Sequence, residues 1–76
     1  MSLTYTYKGH TVEIVQNYAL SWDFIDNDTF DASYEGEDEG GSIWRTSGIH
    51  GTLGRTPTVL DAIKEIREAV DEWEDA

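Results

Sequence analysis

Thr56-Pro57-Thr58-Val59-Leu60-Asp61-Ala62-Ile63-Lys64-Glu65-Ile66-Arg67-Glu68-Ala69-Val70-Asp71-Glu72-Trp73 is the stretch that decides how the rest of the chain folds. Val59, Ile63, Ile66, Val70 and Trp73, with Ala62 and Ala69 beside them, recur in steps of four and three. That spacing keeps them on one side of a 3.6-residue helix. Asp61, Lys64, Glu65, Glu68, Asp71 and Glu72 occupy the other side. A helix of this kind is marginal alone in water and needs an apolar surface to cover. Its start can be capped by Thr56 with Pro57 at the first helical position, or one register later by Thr58 with Asp61 as a capping box. Its end carries Asp71, Glu72, Glu74 and Asp75, where the helix dipole favours cations, so the last residues are expected to fray.

The surface to be covered lies upstream. Leu3, Tyr5 and Tyr7 alternate with Thr4 and Thr6, the period of a half-buried strand. Lys8-Gly9-His10 supplies a hairpin glycine. Residues 11–16 return with Val12 and Ile14 inward. After Asn17, residues 19–26 form a third segment with Leu20, Trp22 and Phe24 inward. Asn27-Asp28-Thr29 is turn chemistry. Residues 30–34 (Phe30, Ala32 and Tyr34 inward) and 42–47 (around Ile43 and Trp44) are further candidate strands. Residues 35–41 read as an acidic loop and 48–54 as a glycine-spaced loop. The expected fold is α+β: an antiparallel three- to four-stranded meander sheet with one C-terminal amphipathic helix, about residues 57–73, packed on one face. The chain, 1–76, reads as a single domain.

Composition narrows the functional classes. Sixteen acids against five bases give a net charge of −11, which repels nucleic acid and anionic membranes. The acids are uneven: Ser42 to Leu60 contains none, yet holds Arg45, His50 and Arg55. Cysteine is absent, which leaves no disulfide and no thiolate metal site. No secretory leader or membrane-spanning run is visible, so a cytoplasmic location is expected. A domain this small often needs a staple, and oligomerisation is the one its composition leaves open.

No motif points to catalysis. Gly48-Ile49-His50-Gly51 and Gly51-Thr52-Leu53-Gly54 spell G-x-x-G ahead of a helix, but neither the spacing nor the lysine of a phosphate-binding loop is present. Asp26-Asn27-Asp28-Thr29-Phe30-Asp31 starts like a calcium loop but puts Phe30 at a ligand position and Asp31 where a glycine is required. His10 and His50 stand forty residues apart without companion ligands. No nucleophile elbow accompanies the serines. We therefore expect no catalytic, cofactor-binding or metal residues and a non-enzymatic module. Trp44 with Arg45 is the pairing of residue types that anchors interfaces. With His50 and Arg55 they form the candidate partner-binding set in the acid-free window.

Tyr7-Lys8-Gly9-His10 with Val12 and Ile14, then Trp22-Asp23-Phe24-Ile25-Asp26, then Ala62-Ile63 to Ile66 and Val70-Asp71, resembles small uncharacterised proteins of phages and mobile elements. That resemblance implies a three-stranded meander followed by one helix. The same order is similar to the N-terminal half of HicB-like antitoxins, in which a sheet precedes a helix rich in alanine and acids. Three functional expectations follow. The first is an acidic protein-protein interaction module, in one version a phage-type inhibitor or nucleic-acid mimic on a basic partner, or a homodimer. The second is an ordinary domain of a salt-adapted (halophilic) organism, whose acidity serves solubility. The third is an antitoxin-like domain.

Overall fold

The computed structural model describes residues 2 to 76. Alternating threonine and aromatic residues make strand β1 (Ser2–Tyr7), which pairs antiparallel with β2 (His10–Gln16). The connection is Lys8-Gly9, both at positive φ (51° and 82°), as a tight two-residue hairpin requires. Strand β3 (Ser21–Ile25) pairs with β2, so that Ile14 stands opposite Phe24. This strand is shorter than its sequence suggests, and Leu20 lies outside it, exposed and at positive φ. Asn17 is the cause. Its Oδ1 accepts from the amides of Ala19 and Ser21, and its Nδ2 donates to Ser21 Oγ and Asp23 Oδ2. A local side-chain turn has overridden the strand pattern.

Between Asp31 and Arg55 the architecture departs from expectation. Strands β4 (Asp31–Asp38) and β5 (Gly41–Ser47) pair only with each other and form a separate two-stranded sheet. The acidic stretch 35–41 is thus mostly strand, with its turn at Glu39-Gly40 rather than a loop throughout. Its charges tolerate strand geometry because both faces of this hairpin meet water. Ala32 and Tyr34, expected inward, are exposed for the same reason. Residues expected as a glycine loop form β6 (His50–Arg55), which pairs with β3 and completes a four-stranded antiparallel sheet in the order β1-β2-β3-β6. One of its glycines has a packing reason. Phe24 stands opposite Gly51, where a Cβ would come within 2.6 Å of the ring. A bulge between Trp22 and Asp23 accommodates the extra residue of β6.

Helix α1 (Val59–Asp75) covers one face of the four-stranded sheet. Of the two possible starts the structure uses Thr58, whose hydroxyl accepts from the Asp61 amide while Asp61 accepts from the Thr58 amide. The reciprocal box satisfies two orphan donors, and hydrogen bonding from the Thr58 side chain and then from its backbone amide holds the Asp61 carboxyl below its ordinary value. Ala62, Ile66 and Val70 are buried against Val12, Ile14, Phe24 and Ile49. Burying each large aliphatic side chain stabilises by about 1.5–3 kcal/mol. The helix turns a narrower stripe inward than its pattern implies. Val59 and Trp73 are exposed, and Ile63 and Ala69 only half-buried.

Nor does the far end fray as expected: the helix runs regularly to Asp75 without a basic residue in its last turn. The missing cations come from the β1–β2 hairpin. Lys8 Nζ lies 2.7 Å from Asp71 Oδ1, and His10 Nε2 lies 2.6 Å from Glu74 Oε1. Tyr7 donates its hydroxyl to Asp71 at 3.5 Å, and the Arg67 guanidinium sits 5.0 Å above the Tyr7 ring. The hydrogen bond between Lys8 and Asp71 raises the amine's pKa and lowers the carboxyl's. No helix among the described residues is long and apolar enough to cross a membrane.

Candidate functional site: an aromatic arm and its polar root

The β4–β5 hairpin is the feature that sets the molecular shape. The radius of gyration is 13.6 Å, against about 11 Å for a compact chain of this length. Eight residues in β4 give the arm a reach of about 25 Å. Tyr34 stands opposite Trp44, their rings edge to face at 5.4 Å. Trp44 is 60 % exposed and Tyr34 53 %. Ile43 is exposed too, on the opposite face by strand alternation. Arg45, one residue past Trp44, reaches Glu35 at 3.3 Å in an open ion pair. The arm carries an exposed apolar surface of Tyr34, Ile43 and Trp44, with carboxylates from Glu35 to Glu39 near its tip.

Its root is a buried polar junction around Asp26, whose side chain is fully inaccessible. Asp26 Oδ1 accepts from the Asp28 amide (3.1 Å), and Oδ2 accepts from Thr29 Oγ1 (3.2 Å) and His10 Nδ1 (2.9 Å). The Asp26 amide donates to Ile49 O at 2.8 Å, and the Ile49 amide donates to Thr29 Oγ1 at 3.0 Å. The chain therefore leaves the main sheet and rejoins it at one tied point. At that point Gly48, with φ of 97°, lies so close to Thr29 and Phe30 that a side-chain carbon would overlap their backbone atoms.

His10 faces a carboxylate at each ring nitrogen, Asp26 on one side and Glu74 on the other. Ionised carboxylates only accept, so both nitrogens must carry protons to satisfy both contacts. The hydrogen bonds to Glu74 and then to Asp26 accordingly raise the imidazole pKa, outweighing its partial burial. The sign for stability is definite. A pKa raised by folding contributes stability that is fully present below the unfolded value near 6.5 and is lost as pH rises through the folded value. We expect the urea midpoint to fall as pH rises from about 6.5 through the folded value, and His10→Gln to flatten the fall. An identical pH dependence in the variant would show that His10 is not the group responsible.

The structure spreads the four candidate residues along this feature. Trp44 and Arg45 lie on the arm. His50 starts β6 at the root, its ring edge to face with Phe30 at 5.2 Å and its Nδ1 2.9 Å from Gly48 O. Arg55 ends β6, about 17 Å away along the strand, beside a shallow polar depression shared with Asp61, Lys64 and Glu65. Arg55 therefore does not join the other three. Sequence reasoning missed Tyr34, placing it inward, and missed that His10, Asp26 and Glu74 meet. A polar residue ending the apolar alternation of β3 was the available signal for Asp26. The largely apolar groove of about 360 Å³ lies elsewhere, between β1 and the start of α1, and is lined by Leu3, Tyr5, Trp22, Val59 and Ile63 among others. Among the described residues no group of three or more histidine or acidic side chains is placed to hold a metal ion.

Fold and arm together define a class: an antiparallel sheet-and-helix α+β module bearing a protruding β-hairpin. No protein-family model matches the chain, and neither a curated protein nor a solved structure shows significant similarity to it.

Proposed function

We propose that the protein is a non-enzymatic binding module whose β4–β5 arm engages a basic protein partner. The observation that carries this is the exposed Tyr34–Trp44 pair on a hairpin whose strands pair with none of the four strands of the main sheet. Tryptophan, tyrosine and arginine are the residue types that supply most interface energy, and here all three lie on one hairpin. The net charge of −11 and the carboxylates near the arm tip suit a partner of opposite sign, steered electrostatically at low salt. In one version the carboxylates replace phosphates in a nucleic-acid channel of that partner. Adaptation to concentrated salt would account for the acids but not for an exposed tryptophan on an arm, which favours the binding reading.

The test is capture of partners from host lysate at low and high salt by the wild-type protein and by Tyr34→Ala and Trp44→Ala. Both substitutions are on a solvated surface and leave the main core untouched. A basic protein retained at low salt, and weakened about thirtyfold or more by Trp44→Ala, supports the reading. Equal retention by the variants, or no basic protein retained, overturns it.

A further inference from the structure

One edge of the main sheet is unprotected in a way the other surfaces are not. Strand β1 lies at the end of the order β1-β2-β3-β6, and its residues Ser2 to Tyr7 include no charge, no proline and no bulge. Edge strands normally carry one of those guards, because a free row of amides and carbonyls invites another strand. Tyr7 and His10 close the two-residue hairpin as its hydrogen-bonded pair. Alternation then turns the backbone groups of Leu3, Tyr5 and Tyr7 towards β2, and those of Ser2, Thr4 and Thr6 outwards. Beside this edge lies the groove between β1 and α1, lined in part by Leu3 and by Val59, which is 66 % exposed.

We infer that β1 pairs antiparallel with β1 of a second copy about a two-fold axis through Thr4. Charge favours a second copy at an acid-free edge, and of the two acid-free edges β1 is the one without the bulged register and the arginine that β6 carries. In a chain of −11, most surfaces would bring carboxylates against carboxylates on self-association, whereas β1 brings none. Register supports it as well. With Thr4 opposite Thr4, the outward amides and carbonyls of Ser2, Thr4 and Thr6 meet their counterparts. Leu3 then lies opposite the partner copy's Tyr5, on the face that carries the helix. Both helices fall on the same side of one continuous eight-stranded sheet, and the two apolar grooves open onto each other. The contact is isologous and closed, so it stops at two copies. The arms lie outside it and remain free.

Sedimentation of the full chain across the micromolar to millimolar range, at low and molar salt, tests the inference. Because the copies repel overall, the dimer tightens with salt, opposite to the arm's contact with a basic partner. Thr4→Pro removes an outward amide that β2 does not use and weakens the dimer roughly tenfold or more, with the monomer's circular dichroism preserved. Thr4→Glu and Thr4→Lys each weaken self-association, and their mixture restores a heterodimer, since the axis sets position 4 against itself. That rescue does not depend on how well Thr4→Pro folds. A monomer under all conditions, a dimer indifferent to Thr4→Pro, or failure of the charge-swapped mixture overturns the inference. A dimer lost instead on Trp44→Ala also overturns it, by placing the interface on the arm.

Discussion

Gly48→Ala is expected to lower the unfolding free energy by roughly 3–5 kcal/mol, enough to leave a domain of this size largely unfolded at physiological temperature. Two effects add. An alanine at φ of 97° is strained wherever it sits, and here its Cβ would overlap the Thr29 carbonyl and the Phe30 Cα. Those are backbone atoms of the turn that Asp26 ties down, so no side chain can swing aside to relieve the overlap. Thermal unfolding followed by circular dichroism measures the loss, with Gly40→Ala as control. Gly40 is exposed in the turn at the arm tip, its φ lies outside the left-handed region, and only the Asp38 side chain is near its missing Cβ. A Gly48 variant that melts within a few degrees of wild type would mean that the root does not have the tight crossing described.

The second large effect is expected at Asp26. Asp26→Ala should cost about 3 kcal/mol or more, because it strips acceptors from the Asp28 amide, Thr29 Oγ1 and His10 Nδ1 at a site closed to water. Asp26→Asn keeps an acceptor of the same size and should lose less. Chemical denaturation at fixed pH orders wild type, Asn and Ala. The wild-type fall in stability above about pH 6.5 should also shrink in both variants, since His10 then has one carboxylate partner instead of two. Equal stability of all three proteins would show that the junction is incidental to the fold.

The helix and the first two strands were legible in the sequence because each is half-buried. Val12 with Ile14, and Ile66 with Val70, show the periods of two and 3.6 that one wet and one dry face impose. Legibility failed where that asymmetry is missing. Residues Glu35 to Asp38 form a strand with water on both sides, so nothing in their order distinguishes them from a loop. Strand β6 was hidden by Gly51 and Gly54, one of which is small because Phe24 fills its space, and that cause lies twenty-seven residues away. Trp44 and Arg45 could be singled out by residue type and by the absence of nearby acids. Tyr34 could not, since an aromatic on a strand is ordinarily a core residue. The junction of His10, Asp26 and Glu74 is a product of three-dimensional closure between distant segments, and no spacing announces it.

The way the arm is inserted has a consequence for how the molecule can vary. Asp26 and Ile49 are hydrogen-bonded neighbours, so the intervening chain departs and returns through one narrow doorway. Closing a longer or shorter excursion there changes chain entropy only slowly with length, since each doubling adds about 0.6 kcal/mol. Lengthening, shortening or resurfacing the hairpin therefore leaves the sheet-and-helix chassis with the same contacts it has now. What the protruding segment recognises can be rewritten while the body that presents it stays fixed.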